Sequence, residues 1–67
     1  MANSASGESV VTRVARIFAA FDGGHPPMCL SDLARRSGLP MTTARRLVDD
    51  LVRERLVERD PDGDIRL

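Results

Sequence analysis

The sequence predicts a mainly α fold, three helices in a row closed by a C-terminal two-stranded β-hairpin. Three observations carry it. Apolar residues recur at helical spacing along residues 10–21 and again along residues 44–51. A short segment with its own start and stop signals, Ser31 and Gly38, lies between them. After the last helical stretch the pattern changes to two short segments around Asp60-Pro61-Asp62-Gly63.

The first helix is expected to begin at Ser9, a residue whose hydroxyl can accept from a free N–H of the first turn. Placed at about 100° per residue, Val10, Val11, Ile17, Phe18 and Phe21 fall within roughly 60° of Val14, which makes one apolar face, while Thr12, Arg13, Arg16 and Ala19 fall elsewhere. Asp22-Gly23-Gly24-His25-Pro26-Pro27 combines two glycines with two prolines, so it must end that helix and form a loop. Residues 1–8 are small and polar, a composition that cannot repay the entropy of ordering, and are expected to form a disordered tail ahead of a single domain at 9–67.

Met28-Cys29-Leu30 reads as a short apolar step. Ser31 is a good N-cap and Asp32 favours the positive end of the helix dipole, so a second helix is expected over residues 32–37. Gly38 stops it in the place where a left-handed backbone is usual. Leu39-Pro40 then makes a tight link, and a third helix starts between Pro40 and Thr42. Its core face is Ala44, Leu47, Val48 and Leu51, spaced i, i+3, i+4 and i+7. Beyond Arg55, residues 56–59 and 64–67 flank a turn with Asp first, Pro second and Gly fourth, the preferred residues of a type I turn.

Two helices joined by about three residues can cross steeply and hold the second one out as a rod that fits the major groove of DNA. The crossing needs a small residue where the helices touch and a glycine in the turn. Ala34 and Gly38 supply them, with Leu33, Leu39, Ala44 and Leu47 around them. With the hairpin in the position of a wing, the fold class becomes a three-helix winged helix-turn-helix.

Opposite its core face the third helix carries Thr42, Arg46, Asp49 and Arg53, flanked by Thr43, Arg45 and Asp50. Groove-reading residues cluster at the N-terminal end of such a helix, where arginine can grip guanine and a threonine can meet a phosphate or a thymine methyl. That selects Thr42, Thr43, Arg45 and Arg46 as candidate DNA contacts, against the plainer reading of a solvated helix face. Asp49 and Asp50 either accept from cytosine or, as we expect, pair with Arg45, Arg46 and Arg53 along the helix. Arg35 and Arg36 on the second helix and Arg59 and Arg66 on the wing are candidate phosphate contacts, each equally readable as surface charge.

Composition narrows the function classes. The chain has 67 residues and equal numbers of basic and acidic side chains, 10 of each, so it is not a generic polyanion binder. The charge is nonetheless polarised. Residues 31–46 hold Arg35, Arg36, Arg45 and Arg46 against Asp32 alone, whereas residues 47–67 hold an excess of acids. Every basic side chain is arginine, the residue suited to bidentate phosphate and guanine contacts. The single cysteine, Cys29, allows no intramolecular disulfide and no structural zinc site, and it reads as a small core residue; a reduced cytoplasm fits. His25 has no ligand partner at metal spacing and reads as a loop histidine. There is no apolar run of about 20 residues for a membrane span, no glycine-rich phosphate loop and no nucleophile motif. No catalytic residue, metal or cofactor is therefore expected.

Residues 12–18 (TRVARIF), 30–40 (LSDLARRSGLP), 42–47 (TTARRL) and 56–60 (LVERD) together resemble the N-terminal DNA-binding domain of IclR-type transcriptional regulators. The Gly-Leu-Pro turn followed by Thr-Thr-Ala and an arginine is the most specific part. The resemblance implies a bacterial regulator that binds palindromic operators on double-stranded DNA as a homodimer or larger assembly, with an effector-binding domain following a linker helix. On that reading the chain is the DNA-binding portion of a longer protein. Two positions depart from the family pattern: Met41 stands where lysine is frequent, and Arg55 where a glycine usually ends the recognition helix. The competing readings are the winged-helix dimerisation module of a small-molecule O-methyltransferase, which the acidic C-terminal third suits, and a winged helix that binds a protein partner.

Overall fold

The computed structural model describes residues 9–21 and 26–67, which form α1 (Val10–Ala20), α2 (Leu30–Ser37), α3 (Met41–Arg53), β1 (Glu58–Arg59) and β2 (Ile65–Arg66). The expected tail at 1–8 and the Asp22 to His25 part of the first loop lie outside the described residues. The fold class is the expected one: helix, helix, tight turn, helix, hairpin.

Ser9 caps α1 as its position suggests, with an extended backbone and a side chain that accepts from the Thr12 N–H at 3.1 Å. Only the later part of the expected apolar face is used. Ile17 and Phe21 are fully buried and Val14 and Phe18 pack against the core. Val10 and Val11 are 58% and 77% exposed, a correction to the helical-wheel reading. The buried positions of α1 all lie in its second half and just after it, at Ile17, Ala20 and Phe21, while its first turn borders an open groove against the start of α3.

The start of α2 is also corrected. The helix begins at Leu30 with Cys29 at the N-cap, where the Leu33 N–H reaches the Cys29 carbonyl at 3.0 Å. Ser31, expected to be the cap, lies inside the first turn with its hydroxyl 3.2 Å from Cys29 Sγ, and Cys29 is exposed rather than part of the core. The cause is tertiary. Met28 is held extended by two hydrogen bonds with Ile65, at 3.0 and 2.8 Å, and the chain turns into the helix immediately after it.

The two helix ends that follow are built alike. Gly38 is left-handed at φ 74°, and the Leu39 N–H returns to the Ala34 carbonyl at 3.1 Å. At the end of α3, Arg55 adopts φ 64° and the Leu56 N–H returns to the Leu51 carbonyl at 2.9 Å. This is the same carbonyl-satisfying helix stop, made once with glycine and once with an arginine, whose Cβ crowds the neighbouring carbonyl and costs on the order of 1 kcal/mol.

The core runs through all of these elements. Leu33 and Ala34 of α2, Leu39 of the turn, and the full expected face of α3 (Ala44, Leu47, Val48, Leu51) are buried with Ile17 and Phe21. Val57 and Ile65 bring the hairpin onto the same cluster. The hairpin is antiparallel, with Glu58 opposite Arg66 and Arg59 opposite Ile65. Its strands are two residues each, shorter than expected. The turn is fixed by Asp60, whose carbonyl accepts from Gly63 at 2.8 Å and whose carboxylate accepts from the N–H groups of Asp62 and Asp64, both at 3.0 Å.

Candidate nucleic-acid interface

α3 is fixed from beneath by four buried residues, so the direction of its outer face is settled by the core. Thr42, Arg45 and Arg46 stand exposed on its first turns, and Thr43 is half-buried. Thr42, Arg45, Arg46, Asp49, Asp50 and Arg53 together line an open groove of about 310 Å³ along that face. A second groove of about 310 Å³ separates the start of α3 from the start of α1 and is lined by Thr42, Thr43, Arg46, Leu47 and Asp50 with Val10 and Arg13. Arg13 thus stands beside the expected reading residues, a neighbourhood that its place on the polar side of the first helix does not foretell. Nothing local to α1 says which of its faces meets α3, so the signal was absent from the sequence.

The candidate arginines divide by partner. Arg35 is held by Asp32 at 2.6 Å, Arg59 by Asp49 at 3.1 Å and Arg66 by Glu58 at 2.9 Å. Among the described residues, Arg36, Arg45 and Arg46 have no carboxylate partner. The expected pairing of the two α3 acids along their own helix holds for one of them. Asp50 meets Arg53 one turn on, at 3.3 Å. Asp49 reaches off the helix to Arg59 of β1 instead of pairing with Arg45 or Arg46. The wing folds back so that β1 passes the third turn of α3, and a pair between elements replaces the one expected within the helix.

The structure therefore brings Thr42, Thr43, Arg45 and Arg46 together at one end of α3 and sets Arg59 beside the middle of the same helix. A rod-like helix with exposed cations at its N-terminal end and a flanking hairpin defines the winged helix-turn-helix class of DNA-binding domain. Comparison with known proteins makes this specific. The model of the IclR helix-turn-helix domain family matches residues 10–61, and the chain belongs to that family.

Solved structures agree. An IclR homolog from Microbacterium hydrocarbonoxydans, complexed with 4-hydroxybenzoate, is 39% identical with a TM-score of 0.83 over 88% of this chain and 25% of its own. An IclR homolog from Microbacterium sp. strain HM58-2 is 38% identical with a TM-score of 0.82, covering 90% of this chain and 25% of its own. An IclR-family protein from Rhodococcus sp. is 26% identical with a TM-score of 0.71, covering all of this chain and 28% of its own. The chain thus spans about a quarter of the length of these proteins. No curated protein sequence matches it. The family and its structural neighbours make this the DNA-binding domain of a transcription regulator and point away from an enzyme. Among the described residues no helix is long and apolar enough to cross a membrane.

Proposed function

We propose that the domain binds double-stranded DNA sequence-specifically, with α3 in the major groove and the hairpin beside it as a wing, as the reading head of an IclR-type regulator acting in the cytoplasm. One observation carries the reading: Arg45 and Arg46 are exposed and without a carboxylate partner among the described residues, beside Thr42 and Thr43 at the N-terminal end of a helix whose opposite face is wholly buried. In the major groove the arginine guanidinium matches the paired acceptors of guanine, and a threonine methyl or hydroxyl suits thymine or phosphate. Arg36 lies on the preceding helix, where phosphate contacts set register rather than sequence. Arg35, Arg59 and Arg66 can join only by giving up their carboxylates. In the longer protein the domain works as a homodimer, each copy reading one half of a palindromic site.

The test is an NMR titration of the labelled chain with a short duplex at low salt, where even nonspecific binding with Kd of about 10⁻⁴ to 10⁻⁶ M registers. Amide shifts concentrated on Thr42, Thr43, Arg45, Arg46 and the hairpin, fading as salt rises, are expected. An unshifted spectrum at millimolar duplex overturns the reading.

A further inference from the structure

The Asp49–Arg59 pair differs from the other ion pairs among the described residues. Asp32–Arg35, Asp50–Arg53 and Glu58–Arg66 each join residues of one helix or of the hairpin itself. Asp49 Oδ1 instead accepts from Arg59 Nη2 across two elements, from the outer face of α3 to β1. Asp49 also lines the groove that holds Thr42, Arg45 and Arg46. Among the described residues, the acid that reaches the wing from another element therefore sits on the surface proposed to meet DNA, and it occupies the guanidinium of a wing arginine.

A carboxylate and a phosphodiester offer arginine the same thing, a pair of anionic oxygens matched to its fork. The side chains of Arg59 and Asp49 are 39% and 58% exposed, so their attraction is screened and weak, and an incoming phosphate can replace the carboxylate. Resting on the DNA-reading function above, we propose that Asp49 is a positioning residue that competes with DNA phosphate for Arg59. In the free domain it holds the wing arginine toward α3. On a mixed-sequence duplex it keeps Arg59, and only on a site where α3 is seated does it give Arg59 up to the backbone. Asp49 thereby withholds one phosphate contact from loosely bound duplex and reserves it for DNA on which α3 is seated.

The test is fluorescence anisotropy of the 67-residue chain with a mixed-sequence duplex of about 20 base pairs, titrated at several salt concentrations from about 50 to 200 mM. Asp49→Asn, Arg59→Ala and their double variant are compared with wild type. Asp50→Asn, which removes the same charge from the next position, is the control, and amide spectra verify that each variant keeps the hairpin. Asp49→Asn is expected to tighten binding by roughly two- to fivefold and to steepen the slope of log K against log salt by about 0.9, the signature of one added phosphate contact. Both gains should vanish when Arg59 is absent, and Asp50→Asn should show no dependence on Arg59.

An equal gain from Asp49→Asn in the Arg59→Ala background would mean that charge removal alone acts, and would overturn the proposal. So would weaker binding by Asp49→Asn, which would make Asp49 a brace for the wing. If the wild-type chain does not bind duplex at any salt, the DNA-reading function fails and takes this inference with it. Wild-type binding without an Arg59-dependent gain overturns this inference alone.

Discussion

The first turns of α3 and the hairpin both present arginines to solvent, and they present them in opposite electrostatic states. Arg45 and Arg46 have no carboxylate partner among the described residues, whereas Arg59 and Arg66 are each held by one, Asp49 and Glu58. Residue type and exposure alone would rank the four together. What separates them is where the acids fall: the start of α3 carries none, while the chain after Leu47 is crowded with them. An arginine is available to DNA in proportion to what it must leave behind, so a domain with no net charge can still offer one cationic end.

The largest effect tests whether the two regions stand on one foundation. Leu51 is buried beneath α3, and its carbonyl accepts from Leu56 at the entry to the hairpin. Leu51→Ala should cost about 2–5 kcal/mol. The loss should appear at the same denaturation midpoint whether helical circular dichroism or hairpin amide signals are followed, and separate midpoints would show that the wing is an independent unit. Next, Arg46→Ala should weaken binding to a specific site by about 1–3 kcal/mol. Arg66→Ala should cost less, because Arg66 can meet DNA only by giving up Glu58. Equal losses would erase the distinction drawn between the two regions.

A smaller change lies at the junction between them. Arg55→Gly should stabilise the domain by about 1 kcal/mol in chemical denaturation, by relieving the left-handed arginine. The gain would be smaller if greater backbone freedom in the unfolded chain offsets it. The smallest effect is expected from Glu58→Gln. Its exposed cross-strand pair should account for about 0.2–1 kcal/mol of stability, while the freed Arg66 should make duplex binding slightly more salt-sensitive.

Much of this architecture was legible because it rests on local rules. The Ser9 cap, the left-handed Gly38, the buried face of α3 and the Asp60 turn each follow from residues within a few positions of one another. What was not legible depends on distant partners. Cys29 became the cap because Met28 pairs with Ile65, and Val10 and Val11 are exposed at the end of α1 that borders an open groove. Asp49 was matched to the wrong arginines because Arg59 lies ten positions away, on another element. The outer face of α3 could be read from periodicity alone, but the division between engaged and available arginines appears only once the wing is folded back.

The Met28–Ile65 bridge carries a consequence for the order of folding. It closes a loop from residue 28 to residue 65 that encloses both α2 and α3, and closing so long a loop must be compensated before the contact brings any return. The helices inside it form from near neighbours and can be in place first. The bridge is then expected to form after those helices, seating Ile65 on the core that they have already assembled.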